Sequence, residues 1–469
     1  MASPIAPPEP GPAGRAAGLL ICAAAALTFL DQLAPGQGFA LAGFVAITLF
    51  ILLCGRSLGP LAFFLLTASA AGTATFVATG HDLAEFAAIA GRCVYLPALI
   101  AVLVPLRLIA MQAPLVERAG QFVVDQPPGR RYAFLTLAAQ IFGVLLNIGG
   151  LLLLAHVALR DLLARDAADR DVAVQTRRIS TAVLRGFAAT MFWSPLGLGL
   201  NLVLTLVPGA SWITFLPYGT AAAALFLSLG WLLDRVVHPS PSSIGSGQDR
   251  PRRGDPSAVA ALVALLLSIS ALASLPELAF DLSFRGGLLL VVPLFALGWR
   301  MIDRPTPVPK RVAAMSLLTS SLAEMPRRAN ETVVIFAASY LGMVVAAVIP
   351  NAAVVGLAGS MGLSGPALAI AICLTVFVTS ALGLSPLVPA TICVAVVISA
   401  GLAIAPELLI LSTLTGWALA VLVSPATASV TILAGVANQT ALRVGLIWNS
   451  LFCAMVLGVA LSAFLMIWG

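Results

Sequence analysis

The chain has 469 residues, of which 60% are hydrophobic and 9% charged, with a formal net charge of +6. About a quarter of the residues in soluble domains are charged, so this composition excludes a soluble fold and predicts a polytopic membrane protein. The basic residues lie in short loops between apolar runs, as the positive-inside rule expects. A nucleic-acid surface would instead need clustered basic residues on an exposed face, so no nucleic-acid partner is expected.

The sequence lacks the residue patterns that are typical of metal sites and enzyme active sites. The six cysteines lie singly inside apolar runs and the three histidines share no ligand spacing, so we expect neither a disulfide framework nor a resident metal. The chain has no GxSxG, no HExxH, no P-loop and no paired carboxylates within an apolar run. We therefore expect no enzyme activity and no cofactor, with sodium considered only as a coupling ion.

Apolar runs long enough to cross a bilayer follow one another along the chain. Before the most polar stretch, they cover residues 16–30, 38–54, 59–79, 86–110, 132–159, 179–207 and 211–234. After it, they cover residues 257–274, 283–301, 331–350, 365–404, 408–437 and 441–468. The first run lacks a cleavage motif and is interpreted as a retained helix.

Two segments are assigned differently from the apolar runs. The polar stretch His238–Pro256 is rich in Ser, Pro, Gly and Arg and is predicted to be a flexible linker. Val308–Arg328 has basic residues at both ends and is predicted to lie along the cytoplasmic interface.

Loop charges predict the topology and two re-entrant hairpins. Run 132–159 has basic residues on both flanks, and run 365–404 has uncharged flanks on both sides. A single crossing cannot return to the same side, so each is predicted to be a hairpin. The tips are predicted at Gly143–Gly150 and at Gly383–Thr391. The fold class is thus an all-α polytopic membrane protein with about eleven transmembrane helices plus two re-entrant hairpins, a cytoplasmic N-terminus and an outer C-terminus.

Six crossings precede the linker and five follow it, so each half has five crossings if the first helix is an extra one. A repeat with an odd number of crossings is followed by a copy of opposite orientation in the membrane, so the two halves are predicted to be inverted-topology repeats. The predicted domains are an extra N-terminal helix, a first repeat, a cytoplasmic linker and a second repeat, at residues 1–36, 37–237, 238–256 and 257–469.

Each repeat also contains a related phrase that interrupts an apolar helix. Gly186–Asn201 reads GFAATMFWSPLGLGLN and Gly416–Thr431 reads GWALAVLVSPATASVT. The shared Ser-Pro removes a backbone donor inside a region that lipid cannot solvate. We therefore predict a broken helix in each half, over residues 179–207 and 408–437.

The hairpin tips and helix breaks together form the candidate binding site. Freed carbonyls and hydroxyl or amide oxygens can coordinate a dehydrated sodium ion, and helix N-termini can hold an anion. The candidate residues are Asn147, Gly149, Gly150, Ser194, Pro195, Gly199, Asn201, Ser385, Pro389, Thr391, Ser424, Thr427, Ser429 and Thr431. The alternative is that these small and hydroxyl residues serve only close helix packing.

Charged residues within or near the apolar runs are interpreted as interfacial. Such side chains usually extend to the membrane surface or pair there. They are Glu85, Arg92, Arg107, Arg185, Arg285, Glu324 and Glu331, of which Arg92 and Glu331 are the strongest exceptions. The scarcity of buried carboxylates disfavours a proton relay.

This layout resembles the ion-transporter superfamily, namely the divalent-anion/sodium symporters and the large membrane subunit of TRAP transporters. Ser194–Asn201, SPLGLGLN, is similar to the Pro- and Gly-rich phrase that ends in Asn in TRAP membrane subunits. The hairpin tips, Asn147-Ile-Gly-Gly and Ser385-Pro-Leu-Val-Pro, depart from the Ser-Asn-Thr motifs of the symporters. The resemblance implies an elevator mechanism and a scaffold that forms a homodimer.

We therefore expect a secondary transporter of a small organic anion, a carboxylate or sulfonate, coupled to sodium or protons, in a bacterial-type inner membrane. The alternatives are a cation/proton antiporter of the same superfamily and a channel-like or non-transporting membrane subunit.

Overall fold

The computed structural model describes residues 11–163, 170–237, 255–280, 282–303 and 308–469. All regular structure in these ranges is helical, and eleven helical segments are long and apolar enough to cross a membrane. The predicted all-α fold with about eleven long apolar helices, as in a polytopic membrane protein, is confirmed. Most of the predicted linker 238–256 lies outside the described residues.

The described residues of the first half of the chain form ten α-helices. They are α1 Pro12–Leu33, α2 Phe39–Cys54, α3 Pro60–Ala78, α4 Leu83–Gln112, α5 Pro114–Val124, α6 Pro128–Leu146, α7 Ile148–Leu163, α8 Arg170–Trp193, α9 Leu198–Leu206 and α10 Trp212–Val237.

The part of the second half that the structure describes also forms ten α-helices. They are α11 Pro256–Phe280, α12 Phe284–Ile302, α13 Lys310–Glu324, α14 Ala329–Val348, α15 Asn351–Ser360, α16 Gly365–Ala381, α17 Leu387–Ser399, α18 Pro406–Val423, α19 Ala428–Val436 and α20 Trp448–Trp468. A π-helical turn, Arg443–Ile447, precedes α20.

The helices group into two compact units, and each unit takes helices from both halves of the chain. Unit 1 comprises Met1–Ile109 and Leu272–Val348, and unit 2 comprises Ala110–Ala271 and Ile349–Gly469. Unit 2 therefore contains both hairpins and both broken helices.

Helices from the two halves are hydrogen-bonded together in unit 1. The hydroxyl of Ser69 on α3 donates to the Ala337 carbonyl on α14 at 3.2 Å, and the hydroxyls of Thr73 and Tyr340 lie 2.7 Å apart. Polar groups paired across two apolar helices hold them at one register, since an unpaired group in lipid is costly.

The segment predicted to lie along the cytoplasmic interface is α13. A 3-10 turn at Met325–Arg328 joins it directly to α14, and α13 packs against α1 and α12. Gly18 on α1 lies so close to α13 that an added Cβ would be 2.6 Å from the Leu322 carbonyl oxygen. The amphipathic α5 and the short α15 were not predicted.

Two buried arginines contradict the interfacial interpretation. Arg107 and Arg185 are each 4% exposed. The Arg185 guanidinium donates to Asn449 Oδ1 at 3.0 Å and to the Tyr132 hydroxyl at 3.1 Å, and it lies 4.3 Å from the centre of the Phe452 ring. Neutral acceptors and an aromatic face therefore replace water around the Arg185 guanidinium. The sequence had predicted that this side chain would extend to the membrane surface.

Candidate functional site

The two helix breaks have the same backbone geometry. The amide of Ser194 donates to the Thr190 carbonyl at 3.0 Å, and that of Ser424 donates to the Ala420 carbonyl at 2.9 Å. Both α8 and α18 end one residue before their serine, because the following proline cannot donate to continue the ladder.

The second half of each broken helix also begins in the same way. Gly197 has φ −74° and ψ 127°, and Thr427 has φ −75° and ψ 138°. The amides of Gly197 and Thr427 each donate to the carbonyl of the break serine, both at 3.1 Å. The predicted correspondence between the two Ser-Pro phrases thus holds in three dimensions.

The side chains that close the two breaks differ. In the first, Asn201 Nδ2 donates to the carbonyls of Pro195 and Gly197 at 2.8 and 2.9 Å. In the second, the Ser429 hydroxyl donates to the Val421 carbonyl at 3.0 Å, and the Thr427 hydroxyl donates to the Ser424 carbonyl at 2.8 Å. In each break one side chain thus donates to a carbonyl outside the helical ladder, that of Pro195 from Asn201 and that of Val421 from Ser429.

The break serines themselves are buried without a hydrogen-bond partner. Ser194 is 1% exposed and Ser424 is fully buried, and within the described residues neither hydroxyl has an acceptor or donor in range. Buried hydroxyls normally find a partner, and one left unsatisfied calls for an explanation. The equivalent position of these two groups makes them the strongest candidates for contacting a ligand.

The first hairpin reverses at Asn147. Asn147 has φ 54° and ψ −133°, a conformation that residues with a side chain rarely adopt. An added Cβ on Gly150 would lie 2.1 Å from the Phe142 carbonyl oxygen, although eight residues of straight helix would separate them by about 12 Å. The chain therefore folds back at the predicted tip, and Gly150 is required for the close approach of α6 and α7.

The second hairpin closes at its base and turns between α16 and α17. The Gly365 amide donates to the Ala403 carbonyl at 2.9 Å, so the chain leaves where it entered. Ser385 is half-buried in the turn. Thr391 is fully buried, and its hydroxyl donates to the Leu387 carbonyl within α17 at 2.7 Å.

Each hairpin packs against the broken helix of the other half. The arm that follows Asn147, α7, contacts α19, and the arm that follows Ser385, α17, contacts α9. The first arms, α6 and α16, contact α8 and α18 of their own halves, and α8 contacts α18. The four predicted elements are thus interleaved within unit 2.

The candidate residues differ in their exposure. Gly150, Ser194, Pro195, Gly199, Asn201, Pro389, Thr391, Ser424 and Ser429 are buried, Asn147, Gly149, Ser385 and Thr427 are half-buried, and Thr431 is exposed. Thr431 donates to the carbonyls of Thr427 and Ala428 in its own helix, which makes it the weakest candidate.

Tryptophans next to the breaks were not singled out from the sequence. Trp193 Nε1 on α8 donates to Gln140 Oε1 on α6 at 2.7 Å, and the Trp193 carbonyl accepts from Trp212 Nε1 on α10 at 2.9 Å. Trp417 on α18 packs against Gly199, where an added Cβ would lie 3.5 Å from its ring. Gln140 is a polar residue inside an apolar run, and Trp193 directly precedes Ser194-Pro195. These two local features are the sequence signal that could have indicated the Trp193–Gln140 pair.

Ser380, near the end of α16, was also missed. It is fully buried, and its hydroxyl has no hydrogen-bond partner among the described residues. Its carbonyl accepts from the Gly383 amide at 3.0 Å in the hairpin turn, so it lies beside the second tip.

The candidate site carries no formal charge, because none of its residues is ionisable. Within the described residues, no group of three or more His, Cys, Asp or Glu side chains could hold a metal ion. What the arrangement offers is hydroxyl, amide and backbone groups at two helix breaks.

Comparisons with known proteins assign no family. No protein-family model matches the chain, and no curated protein matches it. Among solved structures, the chain is similar to MtrF of Neisseria gonorrhoeae, described as illuminating a class of antimetabolite efflux pumps. The TM-score is 0.45, with 16% identity over 78% of this chain and 80% of that chain. A similarity this distant assigns neither a family nor an activity to this protein.

Proposed function

We propose that the protein is a secondary active transporter of a small organic anion, coupled to sodium or protons. The observation that carries the proposal is the pair of buried hydroxyls at Ser194 and Ser424, which have no hydrogen-bond partner among the described residues and lie at equivalent breaks in apolar helices. Broken helices in two halves of a membrane protein commonly build a substrate and ion site.

The chemistry of the breaks suits both an anion and a cation. A serine hydroxyl can donate to an anionic oxygen or offer its lone pairs to a cation. The N-termini of α9 and α19 add backbone N–H groups and the positive end of a helix dipole. Thr427 and Ser429 donate their protons to carbonyls, so their oxygen atoms keep lone pairs that can coordinate a cation.

An inverted repeat is supported by the neighbours of the terminal helices. In the first half α8 contacts α10, and in the second half α18 contacts α20. Tyr218, near the start of α10, lies 6.2 Å from Trp468, at the end of α20, so these two counterparts run in opposite directions. That is the relationship expected of repeats with opposite topology.

An elevator mechanism is the form of alternating access that we propose. Both hairpins and both broken helices belong to unit 2, which would act as the moving body. Unit 1 would then supply the scaffold and the contact between two copies of the chain.

The test is uptake of radiolabelled carboxylates and sulfonates into proteoliposomes, with sodium and pH gradients imposed separately. Coupled transport predicts accumulation that one gradient drives and the other does not. Cation movement without any anion would indicate an antiporter, and flux indifferent to the pairing of gradients would indicate a channel.

Site variants connect the activity to the breaks. We expect Ser194→Ala and Ser424→Ala each to reduce uptake about tenfold or more, because a lost hydrogen bond to a charged group costs about 1.5–3 kcal/mol. Ser412→Ala is the matched control, since Ser412 is fully buried on α18 and its hydroxyl already donates to the Leu409 carbonyl at 3.0 Å. Wild-type uptake in both break variants would refute the site.

A further inference from the structure

An apolar groove in unit 2 has no role in the proposed transport site. It has a volume of about 190 Å³ and lies between α10 and α20, over a floor that includes Phe192 of α8 and Leu411 of α18. Alanines on both walls, among them Ala222 and Ala463, leave the space open. Apolar cavities of this size do not hold water stably and accept apolar molecules instead.

The length of the groove matches one leaflet of a bilayer. Its wall on α10 extends from Tyr218 to Leu229, and its wall on α20 extends from Val456 to Trp468. At the helical rise these walls are roughly 16 and 18 Å long. Half of the hydrocarbon core of a bilayer is about 15 Å, so the groove accommodates a chain that reaches from the headgroup level to the midplane.

The groove opens onto an apolar outer surface and has an aromatic pair at one end. Leu225 and Ile467 on its walls are 45% and 67% exposed, as expected for side chains that face lipid. Tyr218 and Trp468 line the end nearest the end of α20, and such aromatic residues prefer the headgroup level of a membrane.

We propose that this groove binds one acyl chain of a phospholipid. The chain would enter beside Tyr218 and Trp468 and end against Phe192 and Phe226, whose rings lie 5.5 Å apart. Phe192 precedes Ser194 by two residues, so the bound chain supports the end of α8 at the first break. No Asp, Glu, His, Lys or Arg side chain is among the residues that line the groove, so the acyl chain and not the headgroup charge determines binding.

Native mass spectrometry of the protein reconstituted with phosphatidylethanolamine and phosphatidylglycerol tests the proposal. The wild type should retain one tightly bound phospholipid per chain, of either headgroup, and Ala222→Phe/Ala463→Phe should lose it. Ala224→Phe is the control, because Ala224 is exposed on α10 but does not line the groove. Equal retention by the filled variant would overturn the proposal. Loss of a dimer without loss of lipid would show that a second copy covers the groove.

Fluorescence quenching gives a second readout that does not require the groove to be filled. The protein is loaded with phosphatidylcholine brominated on its acyl chains and then diluted into unlabelled lipid. Quenching of Trp468, isolated by comparison with Trp468→Phe, should persist. Quenching of Trp231, which is 44% exposed on α10 and does not line the groove, should reverse at once. Equal recovery at both positions contradicts a bound chain.

Discussion

Gly186 of α8 lies directly against the backbone of Thr136 on α6, where an added Cβ would be 2.2 Å from the Thr136 carbonyl oxygen. Gly416 occupies the same place in the second half, with an added Cβ 2.5 Å from the Cys373 carbonyl oxygen on α16. Each glycine precedes its break serine by eight residues. Close packing of hairpin and broken helix is thus built identically in both halves.

Gly186→Ala and Gly416→Ala should each destabilise the protein, because backbone atoms cannot yield as a flexible side chain can. Overpacking of this kind typically costs about 1–3 kcal/mol. Thermal unfolding in detergent measures the effect. Gly458→Ala on α20 is the control, since an added Cβ there meets nothing within 4 Å and alanine favours the helix. A melting temperature unchanged by Gly186→Ala would show that the helices separate at no cost.

Asn147→Gly separates the role of the Asn147 backbone in the hairpin turn from the role of its side-chain amide. Glycine adopts the φ of 54° without strain, so the variant should remain as stable as the wild type or gain stability. Asn147→Ala should cost about 1–3 kcal/mol, since alanine tolerates this conformation poorly. If the amide contacts a ligand, Asn147→Gly will lose substrate affinity while keeping its melting temperature. Full affinity in that variant would confine Asn147 to the turn.

Asn201→Ala should loosen the first break. It removes the side-chain donor to the Pro195 carbonyl, and an unsatisfied buried group costs about 1–3 kcal/mol. The Gly197 carbonyl keeps its bond from the backbone amide at position 201, at 3.1 Å. We expect a lower melting temperature together with weaker uptake, measured in the same proteoliposome assay. Asn201→Asp, which cannot donate from that atom, should behave similarly. Behaviour like the wild type in both variants would show that the break needs no cap.

Asp234→Ala should be among the most destabilising single changes in unit 2. Arg178 on α8 donates to Asp234 on α10 through Nε at 2.9 Å and Nη2 at 2.7 Å, and the aspartate side chain is only 4% exposed. Removing one member of a buried ion pair costs about 3–5 kcal/mol, because the other charge is left unpaired. Arg178→Met/Asp234→Leu should recover most of that loss in thermal unfolding. A double variant as unstable as Asp234→Ala would mean that the pair has a role beyond mutual neutralisation.

Several local features were predictable because they depend on neighbours along the chain. The run 59–79 became α3, Pro60–Ala78, and the helix ends at Trp193 and Val423 follow from the prolines at 195 and 425. The amphipathic α5 was detectable in the same way. Its buried residues Val116, Ala119, Gly120 and Val123 have the spacing of one helix face.

Features that join distant parts of the chain were not predictable in this way. The contact of α7 with α19, in the other half of the chain, depends on how whole helices interdigitate. The buried position of Arg185 depends on its hydrogen bond to Asn449, which is 264 positions away in the chain. From its charge alone, Arg185 was predicted to lie at the membrane surface, because no residue near it in the sequence indicates Asn449 as its acceptor.

The amino-acid sequence alone predicted about eleven membrane-crossing helices, two helix breaks at Ser194-Pro195 and Ser424-Pro425, and a hairpin tip within Gly143–Gly150. These properties follow from apolar run length and from hydrogen bonds that proline cannot make. Only the tertiary structure decided that the two break serines are buried without hydrogen-bond partners among the described residues, and that each hairpin packs against the broken helices of both halves. Burial and partnership are set by packing between segments far apart in the chain, which no local pattern encodes.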